Sequence, residues 1–509
     1  MNTTRRGFAA GLLCYALFQP MVGFAEERLD VVAPWEINSI DPVQAGHIFG
    51  RMQVAETLLD TDLKGNLVPG LATQWSAADD GLSWQFTLRE GVHFHDNSEM
   101  TVEAVAQSLN RTLNNPGVLS QAEIESIEAV DGGVRISLAA PYSALPALMT
   151  HYSTQILAPA AYGEDGKVQE LIATGPFRIV SLQTPQRLEA ERFDDYWGEA
   201  PEIPAVSYLA APRGETRALM AQSGDADIAF TLDAASQARL RMTPSVELFA
   251  EPIPRTVTVK LNAAREGFDS VEERRALSLA INRQGIARGV MRVEDAATDQ
   301  LMPAGLGAWH LDGLGQPEQD LEEARNLLAS QGWAPGEDGI LQLDGKPFSV
   351  TLTTFADRPE LPVIATALQE QWSQLGVDVS VNVGNSSEIP SSHQDGSLDM
   401  GLLARNFGLV PDPLATIRQD FGPEGGDWGA MNWNSSELEG IVSELVNATD
   451  ESRKASLAHD AAEILHDQLP VIAVASYVQT AAVNARLNGF AIDPFERSYR
   501  LSELSWEAE

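Results

Sequence analysis

Apolar and polar residues alternate along "SWQFTLR" (83–89), with Trp84, Phe86 and Leu88 in register. Successive strand side chains point to opposite faces, so a period of two predicts a half-buried strand. "VRISL" (134–138) repeats the pattern with Val134, Ile136 and Leu138. Between them a helix is expected from Thr101, whose hydroxyl can cap the free amides of the first turn. Glu103 places negative charge at the positive end of that helix. "DSVEERRALSLAIN" opens another helix, with Asp269 and Glu272 at capping-box spacing and Leu277, Ala280 and Ile281 as its apolar stripe. "PEQDLEEARNLLASQGW" reads as a third, with Pro317 at the start, Leu321, Ala324 and Leu328 inside, and Gly332 as the stop.

The segment 348–383 carries the clearest pattern. "FSVTLTT" alternates as a strand. Ile364, Leu368, Trp372 and Leu375 form a helical stripe that ends at Gly376. "VDVSVNV" then alternates Val377, Val379, Val381 and Val383. Strand, helix and strand in about 35 residues make a βαβ unit, which implies a parallel pair and an α/β lobe. That lobe is expected to begin near residue 265.

Composition narrows the setting. A chain of 509 residues implies two or three domains. Residues 1–25 differ in kind: Arg5 and Arg6 precede an apolar stretch from Phe8 to about Phe18, and Gly23-Phe24-Ala25 offers small residues for a signal peptidase. This reads as an export signal. "TRRGFAA" is similar to a twin-arginine signal, and a general secretory signal also begins with arginines. The one cysteine, Cys14, lies in this segment, so the remaining chain has no disulfide or thiolate chemistry. The formal charge of −38 argues against nucleic acid and anionic membrane surfaces as partners, since both need clustered positive charge. A surface rich in Asp and Glu with only Lys64, Lys167, Lys260, Lys346 and Lys454 suits salty surroundings, where ions screen self-repulsion.

Catalytic chemistry is harder to find. The sequence has no GxxxxGK[ST], HExxH, GxSxG or EF-hand loop. Paired carboxylates are uninformative in so acidic a chain. His459 and His466 read as surface histidines. Trp35, Trp428 and Trp433 sit among Gly, Asn and Pro, in expected loops, where they serve either packing or binding. "REGVHFHDN" (89–97) would put His93 and His95 on one face of a strand, with Asp96 beside them. That arrangement is either scaffold or part of a metal site, and a metal would need one or two further ligands.

The stretch 55–111 resembles the signature region of the family 5 extracellular solute-binding proteins, which serve bacterial ABC importers of peptides, nickel chelates, opines and related solutes. The shared pattern comprises Glu56, Leu58, Pro69, Leu71, Ala72, Trp75, Asp80, Gly81, Leu88, Arg89, Gly91, Val92, Phe94, His95, Asp96, Thr101 and Glu103. "TGPFRI" (174–179), "FDDYWG" (193–198), "RALSLAINRQGI" (275–286) and "EEARNLLASQGW" (322–333) extend the resemblance over nearly the whole chain beyond the export signal. It makes His95 a scaffold position shared by members with different ligands, and it places His93 at a variable one.

The resemblance implies an α/β fold of the two-lobed periplasmic binding protein type, with a hinge and an extra subdomain in the first lobe. Lobe I would span 26–260, lobe II 261–477, and residues 478–509 would return to lobe I. The crossings are expected near Lys260–Asn262 and Ser476–Asn484. The implied function is a periplasmic, non-enzymatic, monomeric component of an ABC importer, using no cofactor and no bound metal. It would capture a small solute between its lobes and deliver it to separate permease and ATPase subunits, touching the membrane only through the transporter. A secreted hydrolase and a sensor-docking receptor are the competing readings.

For the ligand, "ARNFGLVPDPLATI" (404–417) is the informative stretch. In the family the matching segment lines the cleft, with an aromatic where Phe407 stands. Peptide binders carry an aspartate three residues before the Asp-Pro pair, here Asp412-Pro413, to hold the peptide ammonium; that position is Leu409. The spacing is somewhat closer to the nickel-binding branch, but the arginine and histidine of that branch fall at Tyr152 and Gly425. A non-peptide organic solute or metal chelate is therefore expected, with a peptide as the alternative. Arg405 either pairs with a ligand carboxylate or forms an internal salt bridge. His47, Tyr152, Arg405, Phe407, Leu409, Asp412 and Trp428 are the expected cleft residues.

Overall fold

Two long strands run through both halves of the molecule. A computed structural model of the chain describes residues 28–115, 117–315, 318–356, 358–448 and 450–507. The expected export signal (1–25) and Pro317 lie outside the described residues. Strands Val246–Leu261 and Val471–Asn484 pair antiparallel and sit at the centre of a ten-stranded sheet. On one side Val471–Asn484 pairs with Ile228–Phe230, and the sheet continues through Arg28–Ala33, Ala205–Ala210, Arg187–Arg192 and Phe177–Gln183. On the other side Val246–Leu261 pairs with Met400–Asn406, followed by Ser349–Phe355 and Asp378–Gly384.

The two long strands slip register between Pro252 and Thr256. Pro252 and Pro254 have no N–H to give the ladder, so the pairing breaks there and the strands bend. The expected crossing at Lys260–Asn262 falls beyond this break, where Lys260 already pairs with Gly401 and Val471.

The parallel unit forms as its periodicity predicts. Ser349–Phe355 runs parallel to Asp378–Gly384, joined through helix Glu360–Ser373. That helix buries Leu361, Ile364, Leu368 and Trp372, and the Trp372 indole donates to the Leu277 carbonyl at 2.9 Å. The extra subdomain is a four-stranded antiparallel sheet, in the order Ala72–Ala77, Ser83–Leu88, Gly133–Leu138, Ile124–Val130, with helix Val102–Leu113 against it. Thr101 caps that helix by accepting from the Ala104 amide at 3.2 Å.

Three local expectations shift. The capping box is Ser270–Glu273, one residue after the Asp269–Glu272 pair. Both pairs have the right spacing, but a residue with extended backbone must precede the first turn, and that is Ser270. Helix Leu321–Ser330 is capped by Asp320, which accepts from the amides of Glu322 and Glu323. Residues 89–97 form turns and one isolated bridge, His93 to Glu99, instead of a strand. Gly91 and Asn97 adopt left-handed backbone there, which breaks the alternation that would align His93 with His95. Among the described residues, no helix is long and apolar enough to cross a membrane.

Candidate functional site

The shared motif residues meet in one wall. Glu56 accepts from the Tyr196 hydroxyl and the Trp197 indole, both at 3.0 Å. Arg89 lies over the Trp197 ring at 4.0 Å from its centroid. His95 donates from Nε2 to the Gly175 carbonyl at 2.9 Å, the only role a carbonyl partner permits, and meets Phe193 edge-on. Burial lowers the His95 pKa to about 4, so the ring is neutral at pH 7. Its Nε2 is committed to tying "FHD" to "TGPF", which is a scaffold role.

Beside this wall lies an inner cavity of about 190 Å³. The short helix His47–Arg51 supplies His47 and Arg51, and Glu56 follows. Tyr152, Gln155 and Trp197 come from the other side, and Glu496 and Arg497 come from the C-terminal return. Leu409, just past strand Met400–Asn406, completes the lining. Leu409 also lines a wider outer cavity of about 590 Å³, with Gln121, His151, Arg405 and Arg418. The two cavities share Leu409 as a lining residue.

The inner cavity is bordered by a network of buried charge. Glu496 Oε1 meets Arg51 at 3.4 Å, Oε2 pairs with Arg255, and Asn406 donates to Oε2 at 2.9 Å. The Arg51 Nε also donates to the Glu496 carbonyl at 2.8 Å. Burial alone would raise the Glu496 pKa, but Arg255, Arg51 and Arg358 outweigh it and bring it down to about 2. Glu56 has no basic partner of this kind; burial lifts it to about 7 against the bonds from Trp197 and Tyr196. His47 is lowered to about 3, first by burial and then by Arg51. His151 falls to about 3 through burial and Arg497. Tyr152 packs between the two imidazoles, with ring centroids 5.8 Å from His47 and 4.0 Å from His151.

Of the residues expected in the cleft, His47, Tyr152 and Leu409 line the inner cavity and Arg405 the outer one. Arg405 is held by Asp420 through two hydrogen bonds, of 2.5 and 2.9 Å. Phe407 is buried in a hydrophobic core and lines neither cavity. Its amide is anchored to the Pro254 carbonyl at 2.8 Å, where the chain leaves the strand, so the alternation that would pair it with Arg405 ends. Asp412 turns back to accept from the Leu414 amide at 2.9 Å. Trp428 packs half-buried against the main core and also lines neither cavity. Arg51, Gln155, Glu496 and Arg497 were not anticipated. Arg51 and Glu496 stand 445 positions apart, and no local pattern marks either.

Comparison with known proteins agrees with this architecture. The sequence pattern of the bacterial extracellular solute-binding proteins, family 5 (middle region), matches residues 66–428. The nickel-binding periplasmic protein of Escherichia coli K12 is 25% identical over 511 aligned positions, covering 95% of each chain. The structure of NikA from Brucella suis in complex with Fe(III)-EDTA superposes with a TM-score of 0.83 at 21% identity, over 94% of this chain and 100% of the other. The oligopeptide-binding protein AppA of Bacillus subtilis, solved with a nonapeptide, gives a TM-score of 0.77 at 21% identity, over 95% and 99% of the two chains. The chain belongs to the family 5 bacterial extracellular solute-binding proteins.

Proposed function

We propose that this chain encloses a small non-peptide organic solute, or a metal chelate, in the inner cavity between its lobes and presents it to an ABC importer. Permease and ATPase would be separate chains, and capture would take place outside the cytoplasmic membrane, in the periplasm. Closure about the Pro252–Thr256 break would bury the solute and expel water.

The observation that carries the ligand class is Leu409 in the inner wall. A peptide-binding cleft needs a carboxylate for the buried ammonium, and an apolar side chain cannot supply that charge-assisted bond. The cavity's own carboxylates have other partners. Asp60 pairs with Arg497, Glu56 takes bonds from Tyr196 and Trp197, and Glu496 serves Arg51, Arg255 and Asn406. The cavity of about 190 Å³ is also smaller than the roughly 300–1,000 Å³ common for drug-sized ligands.

Calorimetric titration with di- and tripeptides, nickel chelates and small organic acids tests the reading. Binding to the native state also raises the melting temperature by mass action, which gives a second readout. A chelate or organic acid is expected to bind in the micromolar range or tighter. Sub-micromolar binding of peptides would overturn the ligand class. Turnover of a bound compound into product would overturn the transport reading.

A further inference from the structure

We infer that the solute is gripped through an anionic group, a carboxylate above all, by Arg497 and Arg51 at the inner cavity. This rests on the inner cavity being the solute site, as proposed above, and adds the chemistry it selects and the residues that select it.

The argument is one of open hydrogen-bonding valence. Arg497 spends one nitrogen, Nη2, on Asp60, while its Nε and Nη1 are buried without a partner. Arg51 uses Nε and Nη2 on Glu496, while its Nη1 is buried and unpartnered. A guanidinium carries five donors and no acceptor, and buried donors left unmade are costly. On the same wall the Gln155 Oε1 is a buried acceptor left open, and the glutamates are engaged. Both oxygens of Glu56 and both of Glu496 accept hydrogen bonds. Three guanidinium nitrogens on two cations therefore stand open against one amide oxygen, while Glu56, Asp60 and Glu496 are each engaged with neighbours among the described residues. The guest that completes the site brings acceptor oxygens and negative charge.

Arg405, the cation expected from sequence, lines the outer cavity and not the inner one, where it is paired with Asp420. Leu409 opposite supplies no charge and suits the carbon skeleton of a small acid. Neutral His47 and Tyr152 add no negative charge of their own to the wall.

The test uses the full chain and matched probes: glutarate, succinate and citrate, each beside its methyl ester, with trialanine and glucose as further controls. Melting temperature and calorimetry are read for wild type, Arg497→Gln, Arg497→Lys and Arg51→Gln. At least one acid is expected to bind while its ester does not. Arg497→Gln should weaken that acid by about tenfold or more, and Arg497→Lys should recover part of it. The unliganded melting temperature and circular dichroism of each variant report folding. Arg51 is the more deeply buried, so Arg497→Gln carries the decision if Arg51→Gln does not fold. The inference falls if an ester binds as tightly as its acid, if Arg497→Gln binds the acid like wild type, or if no acid binds. Binding of glucose or an ester without any acid would sink the anionic grip and leave non-peptide capture standing. Binding of trialanine without any acid would sink both.

Discussion

Arg405 and Asp420 face each other through two parallel hydrogen bonds, Nε to Oδ2 at 2.5 Å and Nη2 to Oδ1 at 2.9 Å. Only 1% of the Asp420 side chain is exposed, against 18% for Arg405. Burial raises the Asp420 pKa, and Arg405 works against that rise. Removing one partner of a buried pair leaves the other charge uncompensated, at a cost of about 3–5 kcal/mol. Arg405→Ala should therefore lower unfolding free energy by that order in denaturant titration. Asp420→Asn in the same background should recover part of the loss. A melting temperature unmoved by Arg405→Ala, with ligand affinity abolished, would make Arg405 a ligand anchor instead.

Glu496 should make the molecule acid-sensitive. Its pKa is about 2 in the fold, because Arg255, Arg51 and Arg358 overcome burial, and near 4.5 when the chain unfolds. A depressed carboxylate contributes stability that is fully present above its unfolded pKa and is lost as pH falls through the folded one. The window is therefore from about pH 4.5 down to about 2, and the loss is on the order of 3 kcal/mol. Glu496→Gln should flatten the stability curve in that window and be less stable than wild type at pH 7. Identical slopes for the two proteins below pH 4.5 would refute this.

Glu56 should act with the opposite sign. Burial raises its pKa to about 7 from a usual 4.5, so between those values the folded state holds a proton that the unfolded state has released. Stability from this group is present at low pH and declines as pH rises toward 7. Glu56→Gln stays neutral and keeps an acceptor for Tyr196 or Trp197. Relative to wild type it should gain stability progressively between about pH 4.5 and 7. Comparing the two proteins cancels the histidines, which titrate in the same range. A pH-independent difference would show that Glu56 is ionised throughout.

Local patterns recovered what is local. The parallel unit at 349–384 was legible because Val350, Leu352, Ile364, Leu368 and Trp372 repeat at strand and helix periods within a short span. The Thr101 cap was legible for the same reason. The capping box was off by one because Asp269 and Ser270 both have a glutamate three residues on. The register break at Pro252–Thr256 lies before the expected crossing at Lys260–Asn262 and faces Ser476, where the other expected crossing begins. The cleft was half legible. His47, Tyr152 and Leu409 could be placed through resemblance, whereas Arg51 and Arg497 converge from opposite ends of the chain, and only the folded return of residues 493–502 brings them together. That return is fixed by Asp493, whose side chain accepts from the amides of Phe495, Arg497 and Ser498. No periodicity announces it.

The chain just after strand Gly133–Leu138 and helix Ser436–Asn447 also touch, outside the inner cavity. The Ser143 amide donates to the Val446 carbonyl at 3.0 Å, and its hydroxyl donates to the Leu445 carbonyl at 3.1 Å, at the end of helix Ser436–Asn447. Arg418 donates to the Gln121 carbonyl at 3.0 Å across the same seam. These bonds join parts of the chain that would separate if the lobes swing open about the Pro252–Thr256 break, so they should slow opening without touching ligand. Ser143→Ala deletes the hydroxyl bond and keeps the amide one. A single net hydrogen bond is worth about 0.5–1.5 kcal/mol, or about two- to tenfold in a rate. Stopped-flow displacement of a bound solute should show dissociation faster by that factor, with the association rate little changed, since the bond forms only after the lobes meet. Scattering of the liganded variant should still give the closed radius. Equal dissociation rates for wild type and Ser143→Ala would mean that the seam does not hold the lobes together.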